Sequence, residues 1–397
     1  MSPPVIDRRT TFGEADQSKT APVARSRPAR SYRGKVSAMV VAAFLFGSFL
    51  VVLLSYSEPA ASYTSHEPII IDGATDLSTP ELRASYGIIG GDGSVADPYV
   101  ICGWSITPSN GGVGISISSR SESFVICEVS VATPAGVLAF AIGLQDVSHV
   151  KINDTTLSNA IYGVQGVDSS YVTVESNSIH LCDVAVELMK VNTYPDDCRI
   201  LNNTMSSGSW GIHVSDARYG VVSGNAISAF SGYGLYAVAS DYSNFSSNEV
   251  SDCSESGTFL ESSDYCVIYN NTYTENYGWY AGGVYVYECL GTSVYHNSFR
   301  DNTGELEDQA YDNGGSGNVW NWPLPLGGNY WSDWTTPDDE APYGIVDDPY
   351  VFTGGQDAFP LTEPPGTETP IPEFGSVVVP VILVMALFLV VSRRRSG

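Results

Sequence analysis

The sequence is poor in positive charge, and the shortage is regional. Residues 56–373 hold seven lysines and arginines (Arg83, Arg120, Lys151, Lys190, Arg199, Arg218 and Arg300) against 41 acids, a net of −34. A surface of that sign repels nucleic acid and anionic lipid, which excludes both as partners. It suits a solvated, cation-attracting exterior and is also compatible with a saline habitat. Helical periodicity is missing as well: none of the repeating units shows an i, i+3, i+4, i+7 stripe long enough for a helix. Leucine is absent from regular places, which excludes a leucine-rich solenoid, and the hairpin signals of a propeller with blades of about 40 residues are not there. Long apolar stretches are confined to two. Val36 to Leu54 is 19 residues without a charge, and Ser376 to Val391 is 16 residues containing Pro380.

The first apolar run is long enough to cross a hydrocarbon core of about 30 Å. Arg25, Arg27, Arg30, Arg33 and Lys35 precede it, and Arg393, Arg394 and Arg395 follow the second run. Arginines beside a membrane segment tend to stay cytoplasmic, so both runs place residues 56–373 outside. The first run is either a retained anchor or a signal peptide processed near Pro59-Ala60-Ala61-Ser62.

What the chain does have is repetition. A hydrophobic residue, two or three polar ones, Asn, any residue and a hydrophobic recur at Asn177, Asn203, Asn225, Asn248, Asn271 and Asn297. Thr155 takes the same place one unit earlier and Asn318 one unit later. From 155 to 297 the steps are 22, 26, 22, 23, 23 and 26 residues. A second register, a small residue followed by alternating apolar ones, runs in step through Gly163, Ala185, Gly211, Gly234, Gly257 and Gly283. Two registers drifting together mean that whole units repeat. Each unit holds short alternating runs rich in Val, Ile and Tyr between Gly, Ser, Asn and Asp, the signature of strands and turns. Such a unit cannot bury its apolar face alone, but stacked units can, each strand pairing in parallel with its equivalent about 4.8 Å along the axis. The expected fold is all-β, a right-handed parallel β-helix solenoid of about eight or nine coils over residues 98–320. Inward asparagines form a structural ladder in which each amide bonds the coils on either side, since an unpaired buried amide is costly.

Three features together resemble archaeal surface proteins of the NosD-like β-helix group. The opening segment ends in Asp97-Pro98-Tyr99, Ile101 and Gly103-Trp104; the middle carries the asparagine coils; the closing segment has Gly328-Asn329-Tyr330-Trp331-Ser332-Asp333, Asp348-Pro349-Tyr350, and Asp357 with Phe359-Pro360-Leu361. The resemblance covers about residues 68–362. A separate one lies in the tail, where Ile371-Pro372-Glu373-Phe374-Gly375, an apolar run and an arginine cluster look like a PEF-CTERM sorting signal. That resemblance implies processing by an archaeosortase, which removes the last helix and transfers the protein to a lipid or other envelope anchor. The proline- and threonine-rich stretch before it reads as a stiff, extended spacer. The expected organisation is a basic cytoplasmic tail (1–35), a membrane helix (36–55), an N-terminal cap (62–97), the β-helix (98–320), a C-terminal cap (321–362), the spacer with sorting motif Pro372, Glu373, Phe374 (363–375), a second membrane helix (376–392) and a basic end (393–397).

Candidate sites follow. Tyr277, Trp279, Tyr280, Tyr285 and Tyr287 crowd one unit, with Tyr265, Tyr269 and Tyr273 in the unit before. Outward rings stack on sugar faces, whereas inward rings fill the core. Asp333, Asp338, Asp339, Glu340, Asp347 and Asp348 offer hard oxygen ligands for calcium in the C-terminal cap. Relatives carry a D-x-D-G-D-G-I-G-D loop there; this chain keeps Gly344-Ile345 and Asp347 but has Tyr343 where a carboxylate precedes the glycine. The group takes its name from a copper-site maturation protein, which implies copper, yet His149, His180, His213 and His296 fall at different places in the repeat and make no ligand cluster with Cys or Met. Seven cysteines are odd in number. Cys182 and Cys253 each follow a ladder asparagine by five residues, and Cys198 and Cys266 each precede one by five. That recurrence suggests the pairs Cys182 with Cys198 and Cys253 with Cys266, the alternative being buried thiols. Sequons at Asn153, Asn202, Asn244 and Asn270 offer glycosylation sites on an exported chain. Asp196-Asp197 beside Arg199 reads as solvated turn and edge residues rather than a catalytic trio. The leading expectation is a non-catalytic envelope protein for adhesion, carbohydrate contact or surface structure. The alternatives are a polysaccharide lyase, hydrolase or epimerase, and an accessory protein of periplasmic metal-site maturation.

Overall fold

A computed structural model describes residues 63–366 apart from 191–196, 306–307, 314, 335–337 and 341–343. Both apolar runs and the sorting motif lie outside these residues, and no described helix is long and apolar enough to cross a membrane.

The described chain is a parallel β-solenoid built on three sheets of eleven, ten and ten strands. Nine coils between Tyr99 and Asn313 each contribute one strand to every sheet. In one typical coil, Thr173–Glu175 lies in the second sheet, Ser178–His180 in the first and Val184–Met189 in the third. All pairings between coils are parallel, and they hold register apart from one shift between Ala281 and Val284 where Ala281–Tyr287 meets Asp308–Asn313; Val174, for example, sits between Ile152 and Ile200. Before the first full coil, Thr64–His66 and Ile69–Ile71 extend the first and third sheets, and the one short helix, Pro80–Ser85, is capped by the Thr79 hydroxyl.

Alternation turns one set of Ile, Val and Leu side chains from the coil strands into the tube, most of them with no measurable exposure. What closes each coil is a set of single-residue corners. The residue before each ladder asparagine has a left-handed backbone: Ser176, Asn202, Gly224, Ser247, Asn270 and His296 have φ between 54° and 69°. Asn159, Leu181, Ser207, Ala229, Asp252, Glu275 and Asp301 repeat this at a second corner. Asn, Asp, Ser and Gly tolerate that conformation, which explains their enrichment at these places. The small-residue register has a different cause. A Cβ on Gly211 would lie 2.3 Å from the Gly234 carbonyl oxygen, and one on Gly283 would lie 2.5 Å from that of Gln309, so bare backbone is needed where coils touch.

The asparagine ladder forms as the spacing predicts. Nδ2 of Asn177, Asn203, Asn225, Asn248 and Asn271 donates to Oδ1 of the next ladder residue at 2.9 Å in every case. The same oxygens accept the backbone N–H of the preceding asparagine, and each second amide proton reaches a carbonyl of the coil before, as Asn203 does to Val174 at 2.9 Å. Every donor and acceptor of these buried amides is thereby satisfied. Thr155 begins the column, donating through N and Oγ1 to Asn177 Oδ1. Its far end departs from the sequence reading. Asn297 donates to Asn329, not to Asn318. Asn318 sits at another corner, where it accepts from the Thr292 N–H at 2.9 Å and donates to Asp312. Residues 321–328 are an insertion before the next rung, which makes the last step 32 residues and hides it from a search for a fixed period. A second amide column was not foreseen: Asn276 donates to Asn302, and Asn302 to Gln309.

The expected disulfides do not form. Cys182, Cys198, Cys253 and Cys266 are buried thiols, as is Cys289. Cys182 and Cys253 occupy the corner before the third sheet and Cys198 and Cys266 the corner after it. A third-sheet strand such as Val184–Met189 separates the two columns by roughly 20 Å. Burial pushes their thiols up, to about 11 for Cys182 and about 12 for Cys253 and Cys266. The bonded pair is Cys102–Cys127, register partners on adjacent coils with Cα atoms 4.7 Å apart.

At the C-terminal end the core is closed by rings. Trp331 stacks on Phe299 at 4.2 Å and on Tyr350 at 4.1 Å. Asp357, with no exposure, ends the ladder by accepting from Asn329 N, Trp331 Nε1 and Phe359 N. Burial pushes its carboxyl up to about 6, against those N–H groups, which lower it.

Two predictions follow from this packing. Asn248→Ala leaves the N–H and one Nδ2 proton of Asn225 and the Val222 carbonyl without those partners, and is expected to cost about 3–5 kcal/mol in urea unfolding, while Asn202→Gly on the exposed corner, where the backbone is left-handed, stays within about 0.5 kcal/mol. For Asp357, whose folded value lies above the ordinary 3.8, the stabilising contribution is full below that value and is lost as pH rises through about 6. Relative to Asp357→Asn, the wild-type protein is expected to lose on the order of 3 kcal/mol between about pH 4 and pH 7, and parallel unfolding curves over that range would refute the assignment.

Candidate functional site

The register that aligns the core also aligns the outside. On the outer surface of the third sheet, Gln165, Glu187, His213, Tyr236, Phe259, Tyr285 and Tyr311 are successive register partners. Each of the six from Gln165 to Tyr285 lies two residues after a member of the small-residue register, so the column is legible in the repeat, although of its members the sequence alone marks only Tyr285 as a sugar-stacking ring and His213 as a candidate metal ligand. The rings of His213, Tyr236, Phe259 and Tyr285 stack with centroids 5.0, 5.1 and 4.6 Å apart and planes within 4°, 7° and 11°.

That stacking has a chemical consequence. Ring faces in the column are taken by neighbouring rings, so the column offers edges and hydroxyl groups outward. Faces come from rings that stand out of the stack along one flank. Trp210 is edge-on to His213 and Tyr236, with planes at 81° to each. Tyr233 tilts 35° to Phe259, and Tyr280, 39% exposed, tilts 43° to Tyr285 and 36° to Tyr311. On the other flank the Tyr236 hydroxyl donates to Glu261, whose register partner is Tyr287. The surface is thus a lane over five coils with an aromatic floor, a tilted aromatic wall and a polar edge.

At one end of the lane stands a hydrogen-bonded trio. Glu187 accepts from Gln165 Nε2 at 2.7 Å through one oxygen and lies 3.0 Å from His213 Nδ1 through the other. Burial alone pushes the Glu187 carboxyl up, but the hydrogen bonds from His213 and Gln165 together outweigh it and hold the carboxyl below its ordinary value, as an anion. Tyr233 and Tyr285 are both pushed up to about 12, chiefly by burial, so their hydroxyls stay protonated donors. Beside the wall, a shallow open groove of about 490 Å³ is lined by Leu181, Asp183, Ser207, Gly208, Ser231 and Ser254 among others.

The structure separates the other candidates. Tyr280, Tyr285 and Tyr287 belong to the lane, whereas Tyr277 and Trp279, 47% and 61% exposed, lie in and just after the short strand Tyr277–Gly278, which pairs with Thr303–Gly304 ahead of the third-sheet strand of their coil. Tyr273 is a core residue stacked on Phe299. Tyr265 ends a corner stack with Tyr219 and Tyr242, and Tyr269 stacks on Tyr295 over the second sheet. Of the sequons, Asn202 and Asn270 are exposed on the ladder corner, while Asn153 and Asn244 are half-buried on second-sheet strands.

Neither metal expectation gains a site among the described residues, where no three His, Cys, Asp or Glu converge. Asp333 is occupied by Gln309 and the Tyr350 hydroxyl. Asp347 accepts the N–H groups of Asp339 and Glu340, and Asp338 that of Gly344, so these carboxylates brace a loop rather than face one point. All five histidines and all seven cysteines lie within the described residues. His180 is held between Ser178 and Ser206, His213 by Glu187 and His296 by the Leu326 carbonyl, while His149 stacks on Tyr171 and His66 packs against Trp104. The residues present do not fit a copper site.

Comparison with known proteins adds a family. The model described as "Periplasmic copper-binding protein (NosD)" matches residues 116–336, more than half of the 397-residue chain. No curated protein sequence matches. Among solved structures, similarity is found with the A-module of mannuronan C-5 epimerase AlgE6 from Azotobacter vinelandii, at 12% identity and a TM-score of 0.43 over 55% of this chain and 77% of that one. DFA-IIIase from Arthrobacter chlorophenolicus gives 11% and 0.43 over 54% and 60%, and the enzymatically active domain of bacteriophage CBA120 tailspike protein 2 gives 13% and 0.42 over 68% and 40%. Given the family's description, titration of the full-length protein with copper in either oxidation state tests the donor geometry directly. The scattered histidines predict no stoichiometric tight uptake, and one tightly held equivalent per chain would reveal a site that these residues do not account for. The extent of the match, on a nine-coil parallel solenoid, places this chain in the NosD family.

Proposed function

We propose that this chain is an extracytoplasmic, membrane-anchored β-helix that binds a linear glycan along the outer surface of its third sheet without transforming it. The observation that carries the reading is the lane itself: contiguous aromatic rings from Trp210 to Tyr311, with face-presenting rings on one flank and the Tyr236–Glu261 hydrogen bond on the other. Aromatic surfaces with few, well-placed polar groups suit sugars, which have apolar faces and hydroxyl rims. The anchoring half of the proposal rests on the two apolar runs beside arginine clusters, with an archaeosortase acting at Pro372-Glu373-Phe374 and glycans on Asn202 and Asn270.

A second reading, polysaccharide chemistry, is favoured by one feature, the Glu187–His213 pair at 3.0 Å, which orients an imidazole as a base would be oriented. A lyase or epimerase that removes the proton beside a uronate carboxyl must also stabilise the developing negative charge. No third-sheet strand after Val113–Arg120 carries a lysine or arginine, and Arg120 is paired with Glu122. Binding is therefore preferred to turnover.

The full-length protein in detergent, applied to a glycan array and a polysaccharide panel, is expected to bind saturably and release no product. Trp210→Ala and Tyr280→Ala are expected to weaken binding by about tenfold each, with thermal unfolding little changed. Product release that His213→Gln abolishes would replace this reading with the enzymatic one, and binding to no glycan would end it.

A further inference from the structure

The lane also restricts which glycan it can hold, an inference that rests on the glycan-binding reading above. Its charge is one-sided. From the strand Phe140–Val147 to the strand Asp308–Asn313, no third-sheet strand contains a lysine or arginine. The lane carries Glu187 in its floor and Glu261 on its edge. Of the seven cations, four are paired with carboxylates, Arg120 with Glu122, Lys151 with Glu175, Arg199 with Asp197 and Arg218 with Asp241; Arg83 lies over Tyr99, Arg300 is on a first-sheet strand, and Lys190, just past the strand Val184–Met189, is buried. A polymer bearing one carboxylate or sulfate per sugar would meet Glu261 on the edge and Glu187 at one end, with no lysine or arginine on the lane strands to offset them, within an ectodomain of net −34.

Direction is restricted as well. The floor rings repeat once per coil, about 4.8 Å along the axis, so the run from the Trp210 coil to the Tyr311 coil spans roughly 19 Å. Trp210, Tyr233 and Tyr280 line one flank of that run, which leaves a track parallel to the axis rather than an isolated pit.

We propose that the lane takes a linear glycan free of carboxylate and sulfate groups, neutral or amino-bearing, laid parallel to the helix axis over the five coils from Trp210 to Tyr311. Each floor ring then meets the chain at intervals set by the coil spacing, the tilted rings cover sugar faces from one side, and Glu261 with the Tyr hydroxyls takes sugar hydroxyl or amino groups from the other. Carboxylate polymers are excluded by charge, not by shape.

Calorimetric titration of the full-length protein in detergent tests this with three series of two to six sugars: neutral glucan, glucosamine and mannuronate oligomers, each at low and high salt. The expected result is binding of the neutral and amino series, strengthening with length up to about five sugars. Mannuronate oligomers are expected to bind about tenfold or more weakly at low salt, with the gap narrowing at high salt as screening grows. Glu261→Gln, which keeps an acceptor for Tyr236, is expected to narrow the same gap, and Tyr219→Ala on the corner stack to leave all affinities unchanged. Mannuronate binding as tight as glucan at low salt would overturn the charge exclusion while leaving the glycan reading intact. Affinity independent of length would overturn the axial placement. Binding of polylysine with no binding of any glycan would overturn both the inference and the reading beneath it.

Discussion

A buried amide has four hydrogen-bonding capacities, and in this protein only the neighbouring coil can satisfy them. Asn225 illustrates the constraint. Its oxygen accepts two protons from Asn203, and its own amide donates to the Ile200 carbonyl of the coil before and to Asn248 of the coil after. No coil can slip by a residue without stranding those groups, because a one-residue shift would also turn every strand inside out. The ladder is therefore what fixes the register of all three sheets at once.

Once register is fixed inside, it is fixed outside, and the external columns follow. Side chains of the same place in successive coils must stand one above another, so aromatic residues recurring at one place stack on one another, as His213, Tyr236, Phe259 and Tyr285 do. The corners supply the opposing cost. Each coil makes left-handed turns at single residues, and a non-glycine there costs on the order of 1 kcal/mol or more. Asn202 and Asn270 accept it cheaply. Leu181, Ala229 and Tyr242 do not, and are held there by the coils above and below.

This logic also explains what could be read from the sequence. The ladder from Asn177 to Asn297 and the small-residue column were visible because they repeat at 22 to 26 residues and each has one physical cause, amide pairing or close backbone approach. Asn329 was hidden by the insertion of residues 321–328, and Asn318 stood in its place because it shares the local pattern N-x-hydrophobic. The aromatic lane was divided among coils in which only one unit looked crowded, although the place two residues after each glycine held the signal. Cysteine spacing misled for a geometric reason. Recurrence along the chain shows that residues share a column, whereas a disulfide needs neighbours. Cys102 and Cys127, 25 residues apart, are neighbours in one column, while Cys182 and Cys198 stand at opposite ends of a third-sheet strand.

Membership of a family described by copper binding does not carry the donors with it. In a solenoid, a metal site needs ligands in the same or adjacent columns of adjacent coils, because side chains on other faces are turned away by the tube itself. The five histidines occupy different columns and already have partners. The same geometry concentrates other chemistry. Aromatic residues share one outer column and its flanks, the polar Glu187–His213–Gln165 trio closes one end of it, and positive charge is missing from it. A fold that stacks like on like makes whatever repeats into an extended surface, and what repeats on the third sheet is aromatic and uncharged or acidic. An elongated, uncharged or cationic ligand is the one whose own repeat and charge match such a surface.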